Sequence, residues 1–389
     1  MDSSNPKDDL FKSIEKKDFE GVKKLLEKYP KLDLNCADKD ELSPLQHACH
    51  SGELQIAKLL IKCGADVNFT CRKDGYTALM FAAISNKQDI VRLLLENNVD
   101  SSVENCVNRT ASQMAAFIGL FKIVHIINSW IPYEKSVQPF TRCRELEDEP
   151  RIPNENLGRL LHEYIVLPSL HPIRYMLHIR DNLQLIRFSS RFIYVLETLS
   201  SKCSKPPTIE ETLSLKYYYL AHILNHCLKQ YEEKFRPQKS IETDFEETAC
   251  FQLVDSNIRK MIRRSNPSDL QPATPQINRF ILDCAMKFPY THLGIFKTTT
   301  FAMNKEASEH YQIFTQSLNG PHMFGRASEG CSICTEVDKC KKCSKCKNVY
   351  YCSRTCQLVD WFQHKKVCKS PEEQPLLKNT DENEIDDEA

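Results

Sequence analysis

The chain has 389 residues, a length typical of two to four folded units rather than of a single core. Lysine plus arginine and aspartate plus glutamate each number 52, so the bulk charge favours neither a nucleic acid nor a membrane surface as the partner. Only 10 residues are glycine, which leaves few positions for a glycine-rich phosphate-binding loop.

The cysteines are distributed unevenly along the chain. Of the 18 cysteines, eight lie between Cys331 and Cys368, and the other ten are scattered over the preceding residues. The N-terminus lacks the basic and then apolar pattern of a signal peptide, and no apolar run approaches the roughly 18 residues that span a bilayer. We therefore expect a cytoplasmic protein without direct membrane insertion, in which clustered cysteines bind metal and scattered ones are buried thiols.

The first 130 residues contain an internal repeat with steps of 34 and 33 residues. Each copy opens with a hydroxyl residue that can cap a first helix: Ser43, Thr77 and Thr110. Nine residues later comes a residue that tolerates left-handed backbone: Gly52, Asn86 and Gly119. Seven residues further on, apolar pairs predict the buried stripe of a second helix: Leu59-Leu60, Leu93-Leu94 and Ile126-Ile127.

This period and its opening motif resemble the ankyrin repeat. Asp18 occupies the position of Gly52 one period earlier, and this weaker copy predicts a degenerate capping unit over Lys7–Leu34. We therefore predict a mainly α-helical fold that starts with an ankyrin-repeat solenoid at residues 1–131. The resemblance implies protein recognition along the finger loops and the concave helix face, with these candidate contacts: Arg72, Lys73, Tyr76, Phe81, Asn108, Arg109 and Phe117. The alternative is that most of them are solvated loop residues or packing residues.

The middle of the chain is less informative. Residues 132–155 are charged and contain prolines, so we predict a linker there. Helical periodicity over 156–318 predicts an α-helical domain or a loosely packed extension of the repeat stack. A second linker is expected at 319–330, and the clearest predicted helices are Leu213–Tyr231, Glu246–Arg264, Gln276–Lys287 and Phe301–Leu318.

Two fragments of this region look like parts of catalytic motifs. Asn225-His226-Cys227 is similar to part of the SET-domain methyltransferase motif, but the Pro-Asn that completes it is absent. His162-Glu163 begins like a zinc-protease helix, but position 166 is Val166 rather than a second histidine. We therefore predict no catalytic residues.

The densest pattern lies at residues 331–368, where potential metal ligands follow one another in four pairs. The pairs are Cys331 and Cys334, Cys343 and Cys346, Cys352 and Cys356, and His364 and Cys368. Seven cysteines and one histidine form two four-coordinate sets, as tetrahedral structural zinc requires. Because both shells are full, we predict two structural zinc ions that stabilise a segment too small to fold alone. Spacing by itself leaves sequential and interleaved pairing open.

The spacing, with Tyr351, Gln357 and Trp361 at their offsets from the ligands, closely resembles the MYND-type zinc finger. That resemblance implies interleaved sets: Cys331, Cys334, Cys352 and Cys356 for one zinc, and Cys343, Cys346, His364 and Cys368 for the other. Cys340 is then a free thiol, with a ligand role as the alternative. The resemblance also implies that Ser344, Gln357 and Trp361 bind a proline-containing peptide, although Trp361 can equally be core packing.

Charge changes sign after the finger. Basic residues outnumber acidic ones within it, whereas residues 369–389 are acidic and predicted to be disordered. The acidic tail can screen the basic finger. A nucleic-acid partner is not expected, because few aromatic residues are interleaved with the lysines.

Ankyrin repeats, a helical middle and one C-terminal MYND finger together resemble the ankyrin repeat and MYND-type zinc finger domain-containing protein family, in particular its cilia-associated type-two branch. This resemblance implies a non-enzymatic adaptor that delivers membrane signalling proteins, such as receptor guanylyl or adenylyl cyclases, to cilia. It implies protein partners, with a cargo or chaperone on the ankyrin face and a proline-containing peptide on the finger. The alternative is a nuclear transcriptional co-regulator that recruits partners through the finger.

Overall fold

The computed structural model is almost entirely helical. It describes residues 5–70, 74–142, 151–207, 209–235, 241–242, 245–264, 274–305, 309–319, 330–336 and 340–369. Within these ranges two short strands, β1 (Lys341–Lys342) and β2 (Tyr350–Tyr351), pair antiparallel. None of the described helices is long and apolar enough to cross a membrane.

Four helix pairs form the ankyrin region. In chain order they are α1 (Pro6–Glu15) with α2 (Phe19–Lys28), α3 (Pro44–Ser51) with α4 (Leu54–Lys62), α5 (Ala78–Ile84) with α6 (Gln88–Glu96), and α7 (Ala111–Phe117) with α8 (Phe121–Ser129). The mainly α-helical prediction and the repeat solenoid are thus confirmed.

The residues predicted to cap helices and to form the turns between them do so in the structure. The hydroxyls of Ser43 and Thr77 each accept a 3.2 Å hydrogen bond from the backbone N–H three residues on, which caps α3 and α5. Gly52 and Asn86 have φ values of 87° and 54°, so both hold the left-handed turn between paired helices. In the first unit this turn falls at Lys17, with φ 58°, one residue earlier than the predicted Asp18.

The ankyrin region buries a hydrophobic core of its own. Leucines of the second helices, such as Leu60 and Leu94, are fully buried in it, and small residues such as Ala82 let the first helices approach closely. Neighbouring loops are also joined, because the side-chain oxygen of Asn35 accepts a 2.9 Å hydrogen bond from the backbone of Asp66. Each repeat is therefore stabilised mainly by its neighbours.

Eleven helices follow in the described part of the middle region: α9 (Tyr133–Ser136), α10 (Pro139–Arg142), α11 (Glu155–Ile165), α12 (Pro172–Asp181), α13 (Gln184–Arg187), α14 (Ser189–Cys203), α15 (Glu211–Phe235), α16 (Glu247–Met261), α17 (Pro275–Met286), α18 (Gly294–Lys305) and α19 (His310–Asn319). They form a packed helical domain in which the long helix α15 lies against α14. The alternative of a loosely packed extension is therefore wrong.

Two predictions for this region need correction. The predicted linker 132–155 contains α9 and α10, and its side chains Val137 and Ile152 are buried in the domain core. The single predicted helix Phe301–Leu318 is instead two helices, α18 and α19. Residues 306–308 between them lie outside the described residues, as do residues 320–329 of the second predicted linker and residues 370–389 of the predicted tail.

The core of the helical domain continues into the finger. Tyr219 and Phe314 of the domain belong to the same buried cluster as Ile333 and Val359 of the finger. The last helix, α20 (Arg354–His364), lies against α16. The finger is consequently packed onto the helical domain.

Candidate metal centre

The eight predicted ligands lie in two clusters. In each cluster the four ligand atoms lie within 4.8 Å of one another. The first cluster contains Cys331, Cys334, Cys352 and Cys356, and the second contains Cys343, Cys346, His364 and Cys368. The two sets are interleaved along the sequence, as the family resemblance implied.

Sulfur–sulfur distances in the first cluster fit tetrahedral zinc. The Sγ atom of Cys352 lies 3.5 Å from that of Cys334 and 3.6 Å from that of Cys356, and the Cys356 and Cys334 sulfurs are 3.8 Å apart. Zinc–sulfur bonds of about 2.3 Å place tetrahedral ligands about 3.8 Å from one another, whereas a disulfide requires about 2.05 Å. These thiols would therefore hold a structural zinc ion, which fixes the chain segment around it.

The second cluster uses one ring nitrogen. Cys343 Sγ lies 3.8 Å from Cys368 Sγ, and Cys346 Sγ lies 3.6 Å from Nε2 of His364. The other ring nitrogen of His364, Nδ1, is buried and has no hydrogen-bond partner. The imidazole is instead oriented by packing, with the Tyr351 ring centroid 6.0 Å away.

Local backbone geometry explains why these ligands converge. The residues after the two Cys-x2-Cys pairs, Thr335 and Lys347, both have left-handed backbone, with φ values of 59° and 56°. Each donates its backbone N–H to the carbonyl oxygen of the first cysteine of its pair over 3.0 Å. Ser353 then caps α20 through a 3.2 Å hydrogen bond from the backbone of Cys356. The two tight turns and the helix cap thus position ligands from three segments.

Cys340 belongs to neither cluster. Its thiol donates a 2.9 Å hydrogen bond to the carbonyl oxygen of Glu336. Burial raises the pKa of Cys340 to about 12, with a further contribution from the neighbouring cysteine sulfurs. The side chain is therefore a protonated thiol beside the first cluster.

A buried ion pair anchors the finger to the helical domain. Arg264, which follows α16, pairs with Asp360 of α20 at 3.3 Å, and these side chains are only 4% and 0% exposed. The Asp360 carboxylate also accepts hydrogen bonds from the Tyr351 hydroxyl at 2.6 Å and from Gln363 Nε2 at 2.7 Å. Gln363 in turn donates to the carbonyl oxygen of Ile262 at 3.1 Å. A buried carboxylate is tolerated because it is paired and hydrogen-bonded in this way.

Further contacts surround the first cluster. Glu336 forms a 3.4 Å ion pair with Lys122 of the ankyrin helix α8. Although burial opposes the charge of Arg174 on α12, the nearby sulfurs of Cys334 and Cys352 raise the pKa of its guanidinium above the ordinary value. This positive side chain therefore offsets part of the negative charge of a four-thiolate site.

The residues predicted to bind a peptide lie on the solvent side of the finger. Gln357 and Trp361 are one turn apart on α20, and Trp361 is 41% exposed. Ser344 is exposed in the turn of the second Cys-x2-Cys pair. The Trp361 ring also lies 5.9 Å from the ring of His364, so one side of it packs inward while the other faces solvent.

Among the predicted ankyrin contacts, the third repeat presents the most exposed group. Phe117, at the end of α7, is 74% exposed. The guanidinium of Arg109 lies 4.4 Å from the centroid of its ring, a cation–π contact. Asn108, with φ 54°, is exposed at the tip of the preceding loop.

The predicted contact residues of the second repeat are less exposed. Phe81 is only 8% exposed, because its ring packs against His50 and Tyr76 at centroid distances of 5.9 and 5.6 Å. Phe81 is therefore a packing residue beneath the surface. Tyr76, which packs against it, is half-buried. Arg72 and Lys73 lie outside the described residues.

These features define a class of protein in which a repeat stack is combined with a finger that two zinc ions would stabilise. Family models match the ankyrin repeats, in three copies, at residues 10–126 and the MYND finger at residues 331–368. The chain thus contains ankyrin repeats and a MYND finger, and both domains are protein–protein interaction modules.

Several characterised proteins are similar to it. Dauer abnormal formation protein 25 of Caenorhabditis elegans is 28% identical over 384 residues, which cover 97% of this chain and 94% of the relative. The zinc finger MYND domain-containing protein 10 homolog of Drosophila melanogaster is 54% identical over 44 residues, 11% of this chain and 10% of the relative. Ankyrin repeat and SAM domain-containing protein 6 of Rattus norvegicus is 30% identical over 169 residues, 40% of this chain and 19% of the relative. The first similarity spans all three regions together.

Proposed function

We propose that the chain is a non-enzymatic adaptor that brings a cargo protein and a second factor together through two recognition surfaces. The main support for this proposal is that the residues of the finger that can bind metal are different from the residues that are exposed for binding a partner. Its eight ligands supply two complete four-coordinate sets, whereas Trp361 on α20 remains 41% exposed. A zinc ion with four protein ligands stabilises the fold and has no open position for a reactant. We therefore assign the function of the finger to its exposed face.

The finger surface binds a proline-containing peptide. An exposed indole beside the amide of Gln357 and the hydroxyl of Ser344 combines an apolar platform with hydrogen-bonding groups. Proline-containing segments are recognised by such aromatic surfaces, because their extended conformation loses little entropy on binding. The family resemblance supports these three residues.

The ankyrin surface binds the cargo or a chaperone. On the third repeat it consists of the exposed Phe117 and Asn108 and the half-buried Arg109, and on the second repeat it includes Tyr76. An aromatic ring with an arginine stacked on it is typical of residues that dominate binding energy at protein interfaces. Arg72 and Lys73 belong to the same proposed surface, with Phe81 beneath it.

We place the adaptor in the cytoplasm in association with cilia. Its proposed cargo is a membrane signalling protein, such as a receptor guanylyl or adenylyl cyclase, that must reach the cilium. Two things support this proposal: the type-two resemblance and a similarity to one relative that extends over 97% of the chain.

The test is a rescue experiment in ciliated cells that lack the protein. Wild-type chain should restore the cyclase to cilia, whereas Trp361→Ala and Phe117→Ala should each lower the ciliary signal several-fold. Met286→Ala is the matched control, because Met286 on α17 is an apolar residue that is 55% exposed and belongs to neither proposed surface. Normal cyclase levels in cilia without the protein, or exclusive nuclear residence of the tagged chain, would overturn the proposal.

A further inference from the structure

The finger surface carries basic side chains that no carboxylate of the described residues pairs with. Eight exposed basic side chains have no ion-pair partner there: Lys341, Lys342, Lys345, Lys347, Arg354, Lys365, Lys366 and Lys369. The two carboxylates of the described finger residues are already engaged, Asp360 with Arg264 and Glu336 with Lys122. This surface therefore favours an acidic ligand.

Apolar side chains lie within the same basic surface. Leu358 and Trp361 on α20 are 56% and 41% exposed. Arg354, Leu358, Trp361 and Lys365 follow one another at spacings of four, three and four residues, which places all four on one side of a helix. This stripe, basic at both ends and apolar in the centre, fits a segment that is both apolar and acidic.

The residues that follow the finger have that chemistry. Residues 370–389 contain Pro375-Leu376-Leu377 and then an acidic run: Asp381, Glu382, Glu384, Asp386, Asp387 and Glu388. The seven residue-to-residue steps from Lys369 to Leu376 can extend over roughly 23 Å, whereas the helix α20 is only about 16 Å long. Because the segment is attached to the finger, its effective concentration there is on the order of millimolar.

We propose that residues 370–389 bind back onto the finger of the same chain. Pro375-Leu376-Leu377 covers Leu358 and Trp361, and the acidic run lies against the surrounding lysines. On the proposed function, on which this regulatory role rests, Trp361 also contacts the partner peptide. The acidic segment therefore competes with the partner, which must displace it in order to bind.

The two tryptophans of the chain make this contact measurable. Trp361 lies on the proposed surface, and Trp130 packs against His162 at a ring distance of 5.4 Å in another part of the molecule. The indole N–H signals of the full chain are compared by NMR with those of a chain that ends at Lys369, which keeps every zinc ligand. The Trp361 signal should shift when the segment is removed, and the Trp130 signal should stay.

A synthetic peptide of residues 370–389, added to the shortened chain, should move the Trp361 signal back toward its position in the full chain. Its affinity should fall about tenfold between roughly 50 and 500 mM salt, because exposed charges are screened. Replacing Leu376 and Leu377 by serine should also weaken the peptide about tenfold. A scrambled peptide of the same composition controls for charge alone, and equal binding by it would overturn the apolar part of the contact.

Two results would overturn the proposal as a whole. One is a Trp361 signal that is the same in the full and the shortened chain. The other is a difference that depends on protein concentration, because it would place the contact between two copies. Neither measurement uses a partner protein, so failure here leaves the proposed adaptor function to its own test.

Discussion

The ankyrin stack and the remainder of the described chain are stabilised by different means. The stack closes its own aliphatic core, and each repeat contacts the next through caps, loops and apolar faces. The helical domain and the finger instead share one core, which runs from Ile131 to Cys368. Within that shared core lie two metal-ligand clusters and the buried pair of Arg264 and Asp360.

Because of this difference, the stability of the stack depends on contacts between neighbouring repeats, whereas the stability of the finger depends on contacts that are distant in sequence. A repeat stack gains stability from neighbours about 33 residues apart, so losing one contact affects adjacent repeats most. The finger depends on zinc and on Arg264, which is 96 residues from Asp360 in sequence. We therefore expect perturbations of the finger to spread into the helical domain and to spare the stack.

Loss of a zinc ligand should have the largest effect. Cys352→Ser removes one thiolate from the first cluster, where a structural zinc contributes on the order of 10 kcal/mol of folding free energy. Elemental analysis should find about one zinc fewer, and limited proteolysis should cleave the finger while the stack persists. Cys340→Ser is the matched control, since Cys340 lies outside both clusters. Unchanged zinc content in Cys352→Ser would show that the ligand set is wrong.

Breaking the buried ion pair should have the next largest effect. Asp360→Asn leaves the Arg264 charge buried without its partner, which costs about 3–5 kcal/mol. Urea unfolding, followed by helical circular dichroism, should show an earlier transition for the helical domain. The exposed pair of Arg159 and Glu155 provides a control, and Arg159→Gln should leave the curve almost unchanged. Equal curves for both variants would mean that the finger is not anchored through Asp360.

A substitution in the ankyrin core should destabilise the stack and leave the finger unaffected. Leu94→Ala opens a cavity in the ankyrin core and should cost about 2–5 kcal/mol. Zinc content and the proteolytic resistance of the finger should stay at wild-type levels. Val107→Ala, at an exposed position of the same repeat region, serves as the control. Loss of zinc in Leu94→Ala would remove the distinction between the two regions.

The smallest expected effect is a pH dependence of stability that arises from a buried lysine between the stack and the helical domain. Lys216 of α15 is buried and donates a 3.0 Å hydrogen bond to the carbonyl oxygen of Ser129, and burial lowers its pKa to about 7. Between pH 7 and 10 the unfolded chain holds this proton and the folded chain does not. Stability should therefore rise with pH in that window, by at most about 1.4 kcal/mol per unit. Below pH 7 both states are protonated, so the contribution to the slope vanishes.

Lys216→Met isolates this contribution from the titration of other groups. Urea unfolding at about pH 7.5 and 8.5 should show that the wild type gains stability relative to the variant. An identical pH dependence of the two chains would contradict the assignment.

Local signals explain which parts of this fold could be predicted from sequence. Ser43 and Gly52 act within one helix pair, so the repeats and their caps were predicted correctly. Zinc ligands recur at short, fixed spacings, which made the metal centre equally clear. The docking of the finger was missed, because neither Arg264 nor Asp360 belongs to a motif and only the fold brings them together.

The predicted linker 132–155 failed for a related reason. Its buried side chains, Val137 and Ile152, are isolated among charged residues and prolines, so they show no periodicity. The contact surfaces were also only partly predictable. Phe81 and Phe117 occupy similar helices, yet Phe81 is covered by His50 and Tyr76 while Phe117 lies on the last repeat, where no further repeat follows in the described structure.

Hydrogen–deuterium exchange of the full chain, before and after zinc removal, tests the central claim most directly. The account predicts that protection disappears over residues 331–368 and also decreases in α16 and α19, which contact the finger. Helices α3 to α8 should remain protected. Exchange that increases in the finger alone, with α16 unchanged, would contradict the claim that the finger and the helical domain form one zinc-stabilised unit.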